Sequence, residues 1–435
     1  MKKIYLFLYI CCTTLVFAQT YKPLDTADYK ARKQFLANYT NINENYAKNL
    51  KTKYPGELGR QLAKNYEEFQ KEFRKKIEDK DFHHQSEFNT YINSLITKLK
   101  AKNTKIPANP QVLIAKDNTP NALSLGDGIV IVNMGLFNWL ENEDQLMAIL
   151  GHELAHQILE HSLKEQQRSF NTNKNSKTKV EEINKLKINK SDKAFDLFKN
   201  IVYGSSIQRR KNEMQADSLG YVLYKNTDFN KLQYKLAYKN LQRFDTISPK
   251  VVKREVYEKL FNLPDAPFKE TWMKMEDFST YQYNQYKEKL NKDSIATHPE
   301  IDTRITHLTQ LFPELKDNES ASTSHSLEFD QLKKIAKMEI LPNEFYSENY
   351  GAGIYALMQM MSDNNIKDQK YFDTWLGKYF TKILDARKKY QLNRYLDRIE
   401  PQKQSESYQQ FLSFMWNLNL DDIQKIANYY TKKSY

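Results

Sequence analysis

The most constraining feature of this sequence is the pentad His152-Glu153-Leu154-Ala155-His156. Residues four apart on an α-helix share a face, so a helical pentad would bring the two imidazoles together. Such a pair commonly binds zinc, and Glu153 could take a proton from a water molecule beside the metal. The pattern therefore predicts peptide hydrolysis. The competing interpretation is an amphipathic helix with two solvated histidines, because five residues can match by chance.

The residues around the pentad predict a long buried helix. Residues 145–150 are largely apolar, and buried imidazoles need partners. Glu143 and Asp144 suit the positive end of a helix dipole, so we expect the helix to run from about there to Gln167. His161 lies one position too early for the third histidine of a metzincin, and we interpret it as a surface histidine.

A third metal ligand must come from elsewhere, and Glu213 is our candidate. It lies in residues 212–220, which continue a helical pattern. Asp217 is four residues later on the same face, where it could accept the second ring N–H of a metal-bound histidine. The alternative is an ordinary acidic pair on a solvated helix. Glu181 and Glu182 compete as ligands, but their lysine- and asparagine-rich surroundings favour an exposed insertion.

Four blocks, in the same order along the chain, resemble metallopeptidase family 48, and together they cover roughly residues 86–312. They are the zinc-helix pentad His152–His156, Glu213 with Ala216-Asp217, the Asn121-Ala122 strand that continues to residue 136, and Thr297-His298-Pro299 followed by Arg304. The resemblance implies one zinc ion per chain, held by His152, His156 and Glu213. One departure is Arg209, where relatives often carry serine, and it bears on packing rather than on zinc binding.

The strand block is expected to border the substrate cleft. Residues 129–132 are β-branched, and Gly126 and Gly128 let another backbone come close. As an edge strand, this block could bind an extended substrate by main-chain hydrogen bonds, at Asn121, Ala122 and Gly128. The alternative is a plain core strand.

His298 precedes a proline, which holds it in an extended conformation. It could reach the metal as a fourth ligand, stabilise the oxyanion of the transition state, or pin a loop. The sequence leaves these three roles open.

The first residues have the layout of a signal peptide. Lys2-Lys3 precede an apolar run over residues 4–17 that is short for a membrane span, and the residues before Gln19 suit cleavage after Ala18. A retained anchor and a lipoprotein are the alternatives. Cys11 and Cys12 lie inside the predicted signal, so the mature chain would hold no disulfide and no thiolate ligand. We expect a periplasmic or secreted protein.

Charge and hydropathy limit the expected partners. The net charge of +12 permits attraction to anionic membrane surfaces or acidic clients. The basic residues are spread among acids without a basic-aromatic module, so no nucleic acid partner is expected. No apolar stretch after the predicted signal approaches the length of a membrane span, so we expect peripheral membrane contact at most.

The length of 435 residues exceeds that of one ordinary core. Composition favours a signal peptide (1–18), an N-terminal helical segment (19–85), a peptidase domain (86–312) with an insertion at about 171–190, and a C-terminal α-helical domain (313–435). The insertion could be a flap over the cleft or a flexible decoration. We expect a mainly α, α+β protein, whose zincin-type peptidase domain holds a small β-sheet and an active-site helix.

These observations predict an exported zinc-dependent metalloendopeptidase that acts on polypeptides. The resemblance alone adds the expected client class, which is unfolded or misassembled envelope proteins. The alternative is a periplasmic chaperone or assembly factor, which would use the cleft and the helical tail for binding with little or no proteolysis. A third hypothesis is a zinc-dependent hydrolase of small molecules.

Overall fold

A computed structural model describes residues 21–24, 28–106, 110–186, 189–246, 250–275, 300–316, 326–362, 368–401 and 403–433. The described chain is mostly helical and contains one four-stranded sheet, which confirms the predicted mainly α, α+β class. Within these ranges, no helix combines the length and the apolar composition needed to cross a bilayer. The predicted signal peptide and His298 lie outside the described residues.

Two long helices precede the sheet and the pentad helix. In chain order, the elements are α1 (Tyr29–Lys53), α2 (Glu57–Glu78), β1 (Phe82–His83), α3 (Glu87–Ala101), β2 (Gln111–Ala115), β3 (Ala122–Ser124), β4 (Ile129–Asn133), α4 (Leu136–Trp139) and α5 (Glu143–Ile158).

Helices make up most of the remaining described chain. They are α6 (His161–Asn184), α7 (Lys190–Lys225), α8 (Lys231–Thr246), α9 (Arg254–Phe261), α10 (Ile301–Leu311), α11 (Leu327–Tyr346), α12 (Tyr350–Met361), α13 (Gln369–Lys388), α14 (Glu406–Asn417) and α15 (Leu420–Lys433). Short 3-10 helices lie at Glu270–Met273, Pro313–Leu315 and Leu392–Arg394.

The sheet has the strand order β1-β2-β4-β3. β2 and β4 run parallel, with Leu113 opposite Ile131, and the outer strands pair antiparallel to their neighbours. β4 is therefore internal, so the core-strand alternative holds for residues 129–132, whereas the earlier part of the predicted block, residues 122–124, lies at an edge of the sheet. Its run of β-branched side chains is buried along its whole length, as expected for a strand in the middle of a sheet.

The edge strand beside α5 is β3, which contains only three residues. Ala122 lies in β3 and Asn121 directly precedes it. Gly128 does not lie on this edge, because its carbonyl accepts a hydrogen bond from the N–H of Gln111 on β2 at 2.8 Å. Gly128 thus lies beside β2, and contact of Asn121, Ala122 and Gly128 with a substrate stays a prediction.

Two large hydrophobic clusters organise the helices. The first packs one face of the sheet against α3, α5, α7 and α8, and includes Val130 and Leu150. The second joins α9 and the 3-10 helix Glu270–Met273 to α12–α15, and includes Trp272 and Tyr379. α11 belongs to both clusters, because Phe329 packs in the first and Leu341 in the second.

α5 and α7 approach each other closely at a pair of glycines. A Cβ atom on Gly220 of α7 would lie 2.9 Å from the Cα of His152 and 2.6 Å from the hydroxyl of Tyr234. A Cβ on Gly151 of α5 would lie 3.2 Å from the carbonyl oxygen of Gly220. The absence of side chains at these two positions lets α7 bring its carboxylates to the pentad.

The predicted helix from Glu143 to Gln167 is in fact two helices. α5 ends at Ile158, and Glu160 adopts a left-handed conformation with φ of 53° before α6 begins at His161. Left-handed backbone interrupts an α-helix, and a glutamate there gives no sequence signal of a break. α6 continues to Asn184, so most of the described part of the predicted insertion is an exposed helix.

Candidate metal centre

α5 places the two pentad histidines on one face. The helix begins at Asn142, whose side chain accepts a hydrogen bond from the N–H of Gln145. Apolar residues then bury nearly the whole helix, and His152 is 7% exposed. The Nε2 atoms of His152 and His156 lie 3.1 Å apart. The sequence spacing of four thus produces the expected pair of converging imidazoles.

α7 supplies the carboxylate that completes the cluster. Glu213 Oε2 lies 3.5 Å from Nε2 of His152, and Oε1 lies 3.5 Å from Nε2 of His156. One ligand atom from each of the three residues falls within 4.8 Å of the other two. The competing candidates Glu181 and Glu182 are exposed on α6 and stand outside this cluster. The three side chains could hold a metal ion.

Asp217 fixes the orientation of His152. Its Oδ1 lies 2.9 Å from Nδ1 of the histidine, which leaves Nε2 pointing at the other two side chains. The carboxylate is fully buried, and its Oδ1 also accepts a hydrogen bond of 2.7 Å from the hydroxyl of Tyr238. The structure therefore gives Asp217 the position expected of a partner to a ligand histidine.

Arg304 on α10 neutralises the buried carboxylate. Its Nε donates to Asp217 Oδ2 at 2.8 Å, and a terminal nitrogen donates to Oδ1 at 2.5 Å. The same terminal nitrogen lies 3.6 Å from Glu213, and the guanidinium lies 4.6 Å from the ring centroid of Tyr238. Burial would raise the pKa of Asp217, but Arg304 and His152 outweigh it and hold that pKa well below its usual range.

His161, interpreted from the sequence as a surface residue, is buried against the cluster. It is 5% exposed, and its Nδ1 lies 3.0 Å from Nδ1 of His156. Its Nε2 lies 3.2 Å from Oε1 of Gln215 on α7. The break at Glu160 turns the chain and brings this ring back to α5, so the surface interpretation is wrong.

Glu153 lies between the cluster and the sheet. It is 8% exposed, and the backbone N–H of Ser124 on β3 donates a hydrogen bond to its carboxylate. Burial raises the pKa of Glu153 to about 7, with Glu213 acting in the same direction and His152 and Ser124 opposing. A carboxyl whose pKa is near neutrality is suited to both accept and donate protons.

The two pentad histidines differ in their electrostatic surroundings. Burial lowers the pKa of His152, but the hydrogen bonds to Asp217 and Glu213 outweigh it and raise the pKa to about 9. Burial and the neighbouring His152 lower the pKa of His156 to about 3. His156 therefore offers a free lone pair at neutral pH, whereas a metal must displace a proton from His152.

The sequence alone gave no role to Tyr238 and no contact for Arg304. Tyr238 carries no motif, and its hydroxyl reaches Asp217 because α8 packs against α5 and α7. Arg304 belongs to the His-Pro block, which could have marked it as a candidate site residue. Its contact with Asp217, 87 residues away along the chain, is visible only in the folded structure. His298, from the same block, falls among residues that the structure does not describe.

Residues 84–311 match the family model described as Peptidase family M48, which is more than half of the chain. This chain belongs to peptidase family M48. Family membership confirms the resemblance, and residues 84–311 form the peptidase-family domain of the chain.

One similar protein is the mitochondrial metalloendopeptidase OMA1 of Schizosaccharomyces pombe, which is 33% identical over 72 residues. The aligned region covers 17% of this chain and 21% of OMA1. The match thus spans about a fifth of that relative's length.

Proposed function

We propose that this M48 protein is a zinc-dependent metalloendopeptidase, exported from the cytoplasm, that cleaves unfolded or misassembled proteins of the cell envelope. The observation that carries the enzymatic part is the convergence of His152, His156 and Glu213, with Glu153 directly beside them. The similarity to OMA1, which is named a metalloendopeptidase, supports the cleavage of internal peptide bonds.

The donor set fits zinc. Two imidazole nitrogens and one carboxylate are typical of a catalytic zinc site that keeps its fourth position for water. Ligands at about 2.0–2.1 Å on a tetrahedron are about 3.3 Å apart. The separations between the donor atoms of His152, His156 and Glu213 are 3.1, 3.5 and 3.5 Å. The three side chains therefore need little movement to hold the ion.

Glu153 is the group that moves the proton. When bound, zinc would lower the pKa of the attacking water and polarise the scissile carbonyl. Glu153 accepts the proton of that water and later donates it to the leaving amine. The hydrogen bond from the Ser124 backbone N–H fixes the carboxylate at the end of β3. His152 is held in place meanwhile by Asp217.

β3 offers a main-chain binding edge next to Glu153. Asn121 and Leu125 both hydrogen bond to β4, so the alternation of an antiparallel pair turns the backbone groups of Ala122 away from it. An extended peptide could add at this edge and present its carbonyl to the cluster with little demand on side-chain identity. Ala122→Pro removes the outward N–H, so we expect a higher KM; because Ala122 is buried, the unfolding free energy of the variant is measured as well.

The enzymatic proposal is tested with casein as an unfolded substrate. Wild-type protein reconstituted with zinc should cleave it, and a chelator should stop cleavage until zinc is returned. Glu153→Gln should bind one zinc ion per chain and lose about 10²–10⁴-fold in rate. Cleavage by Glu153→Gln at the wild-type rate would refute the role of Glu153. If zinc-loaded wild type leaves casein intact but suppresses its aggregation, the chaperone hypothesis replaces the peptidase.

Export and client class need separate experiments. The signal-like residues before Gln19 support export, and N-terminal sequencing of the mature protein should find cleavage after Ala18. Detection of the uncleaved chain in the cytoplasm would refute export. Envelope proteins that accumulate in cells carrying Glu153→Gln, and not in wild type, would identify the clients.

A further inference from the structure

His161 stands behind His156, on the side away from Glu213. The ring is 5% exposed, so its polar atoms must be satisfied mainly by the protein. It makes two contacts, one from Nδ1 to Nδ1 of His156 at 3.0 Å and one from Nε2 to Oε1 of Gln215 at 3.2 Å. His156, His161 and Gln215 thus form a series of hydrogen-bonded side chains that ends at the exposed residue Gln215.

The helix break makes this contact. Residues five apart on an unbroken α-helix differ by about 140° around the axis and do not touch. Here α5 ends at Ile158, and the left-handed Glu160 redirects the chain so that His161 starts a new helix. A non-glycine residue in this conformation is strained and persists only where the surrounding structure enforces it.

The hydrogen positions follow from what each atom can do. With the amide oxygen of Gln215 at 3.2 Å, we assign the hydrogen to Nε2 of His161, because that oxygen can only accept. A neutral imidazole has one N–H, which leaves Nδ1 of His161 as an acceptor. Nδ1 of His156 must then be the donor across the 3.0 Å contact, and its Nε2 keeps a lone pair. That lone pair faces Glu213.

We infer that His161 is a positioning residue for the metal site, which accepts the Nδ1 hydrogen of His156 and thereby holds Nε2 of His156 ready as a ligand. Asp217 does the same for His152. The two pentad histidines thus have different partners, a carboxylate behind one and a neutral imidazole behind the other. A neutral acceptor supplies orientation without adding negative charge to the site. The inference rests on the metal site of the proposed function.

Zinc affinity, measured by competition with a chelator, separates the hydrogen bond from packing. His161→Leu fills the space without an acceptor, and loss of such a partner weakens metal binding about 10–100-fold. His161→Asn places a carbonyl oxygen where Nδ1 stood, and we expect it to stay within about threefold of wild type. Gln215→Met removes the acceptor at the exposed end of the hydrogen-bond series, so it tests how the tautomer of His161 is fixed without disturbing the core. Its zinc affinity should fall between those of His161→Leu and His161→Asn. Equal affinity for His161→Leu and wild type would overturn the inference, as would equal losses in the two His161 variants.

A second readout needs neither zinc nor activity. In protein with ¹⁵N-labelled histidine, a scalar coupling between Nδ1 of His156 and Nδ1 of His161 should appear through the shared hydrogen, which should be bonded to His156. Gln215→Met should weaken this signal. A hydrogen bonded to Nδ1 of His161, or the absence of any coupling, would overturn the inference even if the variants fail to fold. Wild type that shows this coupling but binds no zinc would refute the proposed function and leave the hydrogen-bond assignment standing.

Discussion

Arg304→Met should destabilise the protein more than any exposed arginine substitution. Asp217 is fully buried and receives two hydrogen bonds from the guanidinium, at 2.8 and 2.5 Å. Removing one partner of a buried ion pair leaves an uncompensated charge, at a cost of about 3–5 kcal/mol. For a cooperative unit of 150–250 residues, each kcal/mol lowers Tm by about 2–4 °C, so we expect a decrease of about 6–20 °C.

The assay is thermal unfolding of metal-free protein, followed by far-UV circular dichroism, so that zinc binding adds nothing to the measured stability. Arg209→Met is the matched control, because Arg209 pairs with Glu165 where both side chains are partly exposed. Exposed pairs contribute about 0–1 kcal/mol, so this control should melt close to wild type.

The difference between Arg304→Met and wild type should also depend on pH. In wild type, burial raises the pKa of Asp217, but Arg304 and His152 outweigh burial and hold that pKa low. The charged carboxylate therefore stabilises the fold above its unfolded pKa, and this stabilisation is lost as pH falls towards the folded pKa. Without Arg304, only His152 remains to oppose burial, so the pKa of Asp217 should rise and protonation of Asp217 should relieve part of the cost. The loss of Tm should therefore shrink from pH 8 to pH 5. Equal Tm values for Arg304→Met and Arg209→Met at pH 8 would refute this reasoning.

Three further changes test other parts of the structure. Asp127→Ala removes the acceptor of Tyr39 and Gln70, which donate to one carboxylate oxygen at 2.9 and 3.0 Å. The hydroxyl of Tyr66 lies 2.9 Å from the same oxygen and keeps Asn43 Oδ1, at 2.7 Å, as an acceptor. We expect denaturant unfolding to show a loss of about 2–4 kcal/mol in unfolding free energy, and a loss under 1 kcal/mol would contradict this. Burial of His83 lowers its pKa to about 3 in the folded protein. As pH drops from about 6.5 towards 3, this histidine is protonated in the unfolded chain but not in the folded one, so the free energy of unfolding should fall. His83→Leu should flatten that slope in urea titrations, and an unchanged slope would count against it. Gly220→Ala places a methyl group against the backbone of His152. We expect it to lower the free energy of unfolding by about 1–3 kcal/mol and to weaken zinc binding in chelator competition. Wild-type values for both would show that α5 and α7 have room to separate.

The parts of the site that the sequence predicted depend on short-range spacing. His152 and His156 converge because a helix repeats nearly every four residues, and Asp217 follows Glu213 on α7 for the same reason. The apolar residues of α5 and the β-branched run of β4 likewise indicated a helix and a strand correctly.

The parts that the sequence missed depend on long-range packing. β3 forms the edge with only three residues, which are too few to carry a pattern of their own, and the strand order is set by the whole sheet. Arg304 reaches Asp217 only after α10 has packed against α7. His161 joins the site because Glu160 takes a left-handed conformation without the glycine or asparagine that usually signals it.

The most direct test of the central claim is anomalous diffraction at the zinc edge from crystals of the zinc-loaded protein. We expect one peak, within about 2.0–2.2 Å of Nε2 of His152, Nε2 of His156 and a carboxylate oxygen of Glu213. A zinc peak elsewhere, or a Glu213 carboxylate turned away from both rings, would contradict the proposed metal centre and the peptidase mechanism built on it.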